Sequence, residues 1–88
     1  MTRQELLDVL NTGAQQRLGC VNGVEFGVDE GPFENSDCKF VAYHIGEYKG
    51  DFFFNTIDEF LNGFNINGKP IVQLLEQITL FKIVSCNN

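Results

Sequence analysis

Apolar residues near the start of the chain recur three and four positions apart, a spacing that places them on one face of a helix. Three leucines form this stripe: Leu6, Leu7 and Leu10. Thr2 and Glu5 match the capping box that satisfies free amides at a helix start. The pattern predicts a helix over residues 2–11. Gly13 either ends it or weakens a helix that continues through the helix-favouring residues 14–18.

The apolar spacing then becomes alternating, which is typical of strands with one buried face. Three segments are predicted as strands: residues 24–28, 38–45 and 51–54. Asn22 and Gly23 form a tight-turn pair, so a short hairpin over residues 18–26 is an alternative arrangement around the first strand. The second strand carries apolar residues on both faces and is therefore expected inside the sheet. Residues 29–37 and 46–50 are predicted as the connecting loops.

Helical spacing returns in the second half of the chain. Thr56 and Glu59 form a second capping box. The helix that follows has a buried stripe of Ile57, Phe60, Leu61 and Phe64. It is predicted to end near Gly63, and after a turn at residues 67–68, Pro70 suits the first turn of another helix. The stripe of that helix is Ile71, Leu74, Leu75 and Ile78.

A β-rich segment closes the pattern. Residues 79–84 predict a last strand with Phe81 and Ile83 on one face, followed by a polar tail over residues 85–88. The predicted order is α-β-β-β-α-α-β. Separate groups of hairpin-linked strands and helices indicate one α+β domain over residues 1–88, with a three- to four-stranded antiparallel sheet.

The charge of the chain narrows the classes of partner. Twelve carboxylates against six Lys and Arg residues give a formal net charge of −6. Direct nucleic-acid binding needs a basic face, and so does attraction to an anionic membrane surface, so neither is expected. The charge fits a protein partner with a basic surface, or it serves solubility alone.

The chain has no segment typical of export or membrane insertion. It lacks a charged and then apolar leader pattern, and no apolar run approaches the length of a membrane span. We therefore expect a cytoplasmic protein. Three cysteines cannot all pair within one chain, and reduced thiols are expected at Cys20, Cys38 and Cys86.

No motif predicts catalysis. His44 is the only histidine and has no acid or serine at a catalytic spacing, so a packed strand histidine is expected. The cysteines lack the short spacings of structural zinc sites. Residues 63–69 resemble a phosphate-binding loop, but they end in Lys-Pro and follow a helix. The prediction is a protein that is not an enzyme and has no catalytic, cofactor-binding or metal-binding residues.

Acidic residues concentrate in two predicted loops. Residues 29–37, DEGPFENSD, place four carboxylates around one phenylalanine, and residues 46–51 repeat the theme. Carboxylates can steer a basic partner while an aromatic side chain anchors it. The predicted partner-binding residues are Asp29, Glu30, Phe33, Glu34, Asp37, Glu47, Tyr48 and Asp51. The alternative is a solvated loop whose Phe33 folds back onto the core.

Two short blocks resemble a known family. FLNGFN at residues 60–65 and EQITL at residues 76–80 are similar to blocks in small prophage-encoded anti-CRISPR proteins that inhibit Cas9 by mimicking DNA. The resemblance covers the C-terminal third and implies an inhibitor of a CRISPR effector. In that family an acidic run separates the blocks, whereas here the intervening INGKPIVQLL contains Lys69 and no acid. The family's binding surface therefore cannot be transferred, and the acidic loops are the expected contact.

Three functions remain open from the sequence. The first is a non-enzymatic acidic protein-binding domain, as a phage or mobile-element inhibitor of a nucleic-acid-handling effector such as a CRISPR nuclease complex. The second is a homo-oligomeric structural or accessory protein that buries a phenylalanine-rich sheet surface between subunits. The third is a small enzyme or metal-dependent regulator that uses the cysteines and His44.

Overall fold

The N-terminal helix forms where the leucine stripe predicts it. The computed structural model describes residues 1–85, and its first helix, α1, spans Arg3–Leu10. Thr2 is the N-cap and forms the predicted capping box with Glu5. Leu6 and Leu10 are buried beneath the helix. The helix ends before Gly13, so its continuation through residues 14–18 is excluded.

Within residues 1–85, seven strands follow in chain order: β1 Gln16–Val21, β2 Val24–Glu30, β3 Phe40–His44, β4 Asp51–Phe54, β5 Asn65–Ile66, β6 Lys69–Pro70 and β7 Ile78–Ser85. Five of them form one antiparallel sheet in the order β4-β3-β2-β1-β7, and β5 pairs with β6 in a small hairpin. The α+β class with an antiparallel sheet is confirmed, but the sheet has five strands instead of three or four.

The additional strand is β1, which the helix-favouring residues 14–18 obscured. The hairpin alternative was correct: β1 and β2 pair across a turn in which Asn22 has φ 50° and Gly23 has φ 80°. Two positive φ values are characteristic of the turn that matches strand twist in a two-residue hairpin. Because β1 is paired on both edges, by β2 and β7, tertiary pairing overrides the local helix preference.

The remaining strands correct the predicted boundaries. β2 continues through Asp29 and Glu30, which pair with Val41 and Phe40, so the loop begins at Gly31 and not at residue 29. β3 is shorter than predicted at both ends, and it lies inside the sheet between β2 and β4, as expected. β4 has the predicted bounds.

The C-terminal helices differ from each other. The α2 helix spans Ile57–Gly63 and begins with the predicted capping box at Thr56. The second predicted helix is a 3₁₀ helix over Ile71–Gln77, with no side-chain cap. Pro70 lies before it and pairs in the β5–β6 hairpin. The prediction of Pro70 in the first helical turn was therefore wrong.

The last strand is confirmed and longer than predicted. Ile78, assigned from the sequence to the preceding helical stripe, is instead the first residue of β7. Ser85 ends β7, and the rest of the predicted polar tail, including Cys86, lies outside the described residues. None of the helices in residues 1–85 is both long and apolar enough to cross a membrane.

The core lies between one face of the sheet and the helices. Phe26 on the central strand is fully buried, with ring centroids 5.7 Å from Phe64 and 5.8 Å from Phe81. A side chain at Gly19, opposite Phe26 on β1, would overlap the Phe26 ring. Gly19 thus allows the central aromatic side chain to lie against the sheet. We call this side of the sheet the inner face.

A buried arginine connects α1 to the inner face. Arg17 is 1% exposed. Its Nε donates to the Val9 carbonyl at 3.0 Å, and its Nη2 donates to the Leu10 carbonyl at 3.1 Å and to the Glu30 carboxylate at 3.0 Å. The guanidinium carbon lies 5.5 Å from the centre of the Phe40 ring. Arg17 therefore satisfies carbonyls that the end of a short helix leaves free.

We expect Arg17→Ala to lower the free energy of unfolding by about 3 kcal/mol, because buried acceptors would lose their donor. The Arg3–Asp58 pair has a similar length of 2.9 Å, but both side chains are more than half exposed. Arg3→Ala, the matched control, should cost less than about 0.5 kcal/mol. Urea denaturation measures both values, and equal costs would contradict the structural role of Arg17.

Candidate functional site

Within residues 1–85, no helix or second sheet packs on the outer face of the sheet, the side away from the helices. Antiparallel partners share a face, so the register identifies its residues. They are Gln16, Leu18, Cys20, Glu25, Gly27, Asp29, Val41, Tyr43, Asp51, Phe53, Leu80 and Lys82. Of these, only Val41 has a buried side chain, at 8% exposed, whereas the inner-face residues Phe26, Val28 and Phe54 are all at 0%. A surface of this kind on a small domain is available for a partner.

An apolar patch occupies one part of the outer face. Phe53 lies opposite Val41 in the sheet. The ring of Phe33, from the loop after β2, packs edge-on against Phe53 with centroids 5.4 Å apart. Phe33 and Phe53 are both half-buried. We call Phe33, Val41 and Phe53 the apolar patch. It is too small to form a core and is suited to anchoring an apolar side chain of a partner.

Two carboxylates and a tyrosine lie beside the apolar patch. The Tyr43 hydroxyl donates to Asp29 Oδ1 at 2.9 Å, and Asp51 lies opposite Tyr43 in the sheet. Tyr43 covers Gly27, where an added Cβ would lie 2.5 Å from Tyr43 Cζ. The missing side chain of Gly27 therefore lets the phenol cross to β2 and reach Asp29.

The electrostatics of this cluster are unfavourable to its own ionisation. Burial raises the pKa of Asp29 above its usual value, while the Tyr43 hydrogen bond and the Arg17 charge oppose that shift. Burial and then the bond to Asp29 raise the pKa of Tyr43 to about 12. A hydrogen bond to Asp51 raises the pKa of Tyr48. Within residues 1–85 neither Asp29 nor Asp51 forms a salt bridge.

The structure brings together four of the predicted partner-binding residues and separates the other four. Asp29, Phe33, Tyr48 and Asp51 converge on the outer face or its rim. Glu30 faces inward and pairs with Arg17. The remaining three are exposed at other places: Glu34 in the loop after β2, Asp37 beside a cleft and Glu47 in the β3–β4 turn.

The outer face also includes residues that the sequence interpretation did not select. Val41 and Tyr43 on β3 and Phe53 on β4 are central to it. The sequence held a signal for them, because Val41 and Tyr43 alternate with Phe40, Ala42 and His44, and apolar groups on both faces of a strand imply a second packing surface.

A cleft of about 520 Å³ lies away from the apolar patch and Tyr43, between the end of α1, the loop after β2 and the start of α2. Asp37, Lys39 and Asn55 contribute polar groups of mixed sign to it. Residues 1–85 contain no group of three or more His, Cys, Asp and Glu side chains placed to hold a metal ion.

His44 is packed on the inner face. Its ring stacks on Phe64 at 4.8 Å, and its Nε2 lies 2.7 Å from the Asn65 carbonyl oxygen. Because a carbonyl only accepts, Nε2 carries the proton and donates. The other nitrogen, Nδ1, is buried without a hydrogen-bond partner among the described residues. This geometry fits a strand histidine that fixes the β5–β6 hairpin.

No model of a known protein family matches the chain, and no curated protein or solved structure is significantly similar to it. On the outer face apolar, aromatic and acidic groups lie together, and within residues 1–85 its carboxylates form no salt bridge.

We expect Asp29→Asn to lower the pKa of Tyr43 from about 12 toward its usual value of 10.0. The amide oxygen still accepts the hydrogen bond, but the negative charge that opposes phenolate formation is lost. Tyrosinate absorbance reports the change, and Tyr48→Phe in the background leaves Tyr43 as the only tyrosine. An unchanged Tyr43 titration would contradict the coupling.

The raised pKa of Asp29 also predicts an unusual dependence of stability on pH. A carboxyl group with a raised pKa contributes stability below its unfolded pKa and loses that contribution as pH rises through the folded pKa. Asp29→Asn should therefore unfold at an equal or higher temperature than wild type at neutral pH, and this advantage should shrink in acid. Thermal unfolding across pH measures it, and a lower unfolding temperature at neutral pH would contradict it.

Proposed function

We propose that this chain is a non-enzymatic acidic protein-binding domain whose outer face binds a protein partner with a basic surface. The observation that carries the proposal is the apolar patch beside Asp29 and Asp51, on the sheet face on which no helix of residues 1–85 packs. Apolar contact area with unpaired charges around it is the usual composition of a transient protein interface.

Charge supports a basic partner. The net charge of −6 steers a cationic surface toward the domain, and the rim carboxylates keep it in register once it arrives. Burial disfavours the ionised form of Asp29, and the Arg17 charge offsets only part of that cost, so a partner cation would offset more of it. The same charge disfavours direct contact with nucleic acid or an anionic membrane.

The more specific form of the proposal is a phage or mobile-element inhibitor that acts on a CRISPR effector in the host cytoplasm. The resemblance of FLNGFN and EQITL to Cas9-inhibiting proteins supports it. Phe60, Leu61 and Phe64 in the first block are buried in the core. These residues therefore form scaffold, and we assign recognition of the effector to the outer face.

Burial of most phenylalanines inside the chain argues against the homo-oligomer alternative. Five of the nine phenylalanines are buried within the chain's own core: Phe26, Phe54, Phe60, Phe64 and Phe81. Two others, Phe33 and Phe53, lie in the apolar patch. The phenylalanine-rich surface that the sequence suggested for a subunit interface is thus mostly internal, which favours the binding domain.

We expect Asp51→Lys to weaken binding to a guide-RNA-loaded Cas9 effector at least about tenfold, since a rim carboxylate would become a like charge. Asp51 is exposed, so the fold should tolerate the change. Glu76→Lys makes the same charge change on the exposed 3₁₀ helix and is the matched control. Binding is measured by biolayer interferometry at two salt concentrations, together with inhibition of DNA cleavage.

Two results distinguish the general protein-binding function from the assignment to a CRISPR effector. Equal losses for Asp51→Lys and Glu76→Lys would show that only net charge matters and would exclude the outer face as the contact. If no Cas9 or related effector is bound or inhibited, the CRISPR assignment is excluded. The broader proposal then depends on whether other basic proteins bind and lose affinity through Asp51→Lys.

A further inference from the structure

The inner face contains an occupied cation site, in which the Nε and Nη2 of Arg17 are hydrogen-bonded and Nη1 has no partner among residues 1–85. The guanidinium of Arg17 lies over the Phe40 ring of β3 and bonds the Glu30 carboxylate of β2. Its parts are a carboxylate on β2, an aromatic ring on β3 and a guanidinium that contacts both. The combination is favourable because a planar guanidinium stacks on an aromatic ring while its N–H groups donate to a carboxylate.

The outer face repeats two of these three parts. Asp29 immediately precedes Glu30 on β2, so its side chain lies on the opposite face of the sheet. The hydroxyl of Tyr43 on β3 donates to Asp29 at 2.9 Å. The neighbour of Asp29 on β1 is Gln16, and the neighbour of Gly27 is Leu18. Neither is a cation. The carboxylate and the aromatic ring are therefore present, but β1 supplies no guanidinium.

The other charged groups on this face do not fill the position. Lys82 shares a row with Tyr43, but Leu18 and Gly27 lie between them across β1 and β2. Asp51 lies directly beside Tyr43 on β4, and Glu25 lies further along β2. The surroundings of Tyr43 are therefore acidic on both sides within the sheet.

We infer that the outer face binds an arginine side chain of the partner, with its guanidinium stacked on Tyr43 and paired with Asp29 or Asp51. The inference rests on the proposed function and names the group that is recognised. An apolar neighbour of that arginine would contact the apolar patch, since Val41 and Phe53 lie in the same row as Asp29. Lysine fits less well because its ammonium is compact and cannot stack as a plane.

The test uses a defined probe, N-acetyl-arginine amide, titrated into the ¹⁵N-labelled protein and followed by NMR. The comparison probes are the lysine analogue and the neutral citrulline analogue. We expect shifts centred on Gly27, Asp29 and Tyr43, largest for arginine, smaller for lysine and absent for citrulline. Shifts that citrulline reproduces, or shifts centred elsewhere, would overturn the inference.

Variants separate this inference from the proposed function. Tyr43→Leu should abolish the arginine-specific shifts and weaken binding of a basic partner about tenfold, the size expected for a desolvated cation–aromatic contact. Glu76→Gln, on the 3₁₀ helix, should change neither. If Asp51→Lys abolishes binding of the partner protein while Tyr43→Leu binds it with wild-type affinity, the arginine site is excluded and the proposed binding function is still supported. If arginine binds at Tyr43 but no basic protein binds, the binding function fails instead.

Discussion

The guanidinium of Arg17 is the charged group that the core of residues 1–85 is built around. The α1 helix has only eight residues, so its propensity alone cannot hold it in place, and its last carbonyls need donors. Arg17 supplies them from β1 and simultaneously bonds Glu30 on β2. The cost of burying the charge is offset only while these contacts persist. The position of α1 on the sheet is thereby coupled to the pairing of β1 with β2.

Covering one face of the sheet leaves the other to solvent, and the sequence treats the two faces differently. Phe26 and its aromatic neighbours fill the inner side, whereas the outer side mixes a few apolar groups with carboxylates. The edges are also distinct. β7 carries Lys82 and bends at two register shifts against β1, features that discourage edge-to-edge pairing of strands.

Local signals in the sequence predicted the elements that local chemistry determines. Both capping boxes were predicted, because they need only Thr2 or Thr56 and a glutamate three residues later. β1 was predicted only in part, as the first half of an alternative hairpin, since a stretch of helix-favouring residues becomes a strand only through pairing with β2 and β7. The acidic residues were identified, but Glu30 and Asp29 face opposite sides of one strand. Loop composition could not separate them, because register decides which carboxylate meets Arg17 and which meets Tyr43.

The pairing of β1 with β7 has a consequence for how the chain folds during synthesis. Gly19 pairs with Phe81, so the first strand of the sheet and the last are joined across nearly the whole described chain. Contacts between positions so distant in sequence form slowly, because a long loop must close before any stabilisation is gained. β1 leaves the ribosome well before β7 and must wait with one edge open. Completion of the sheet is therefore a late event, and nascent chains that stop before β7 would expose the edge of β1 to cellular chaperones.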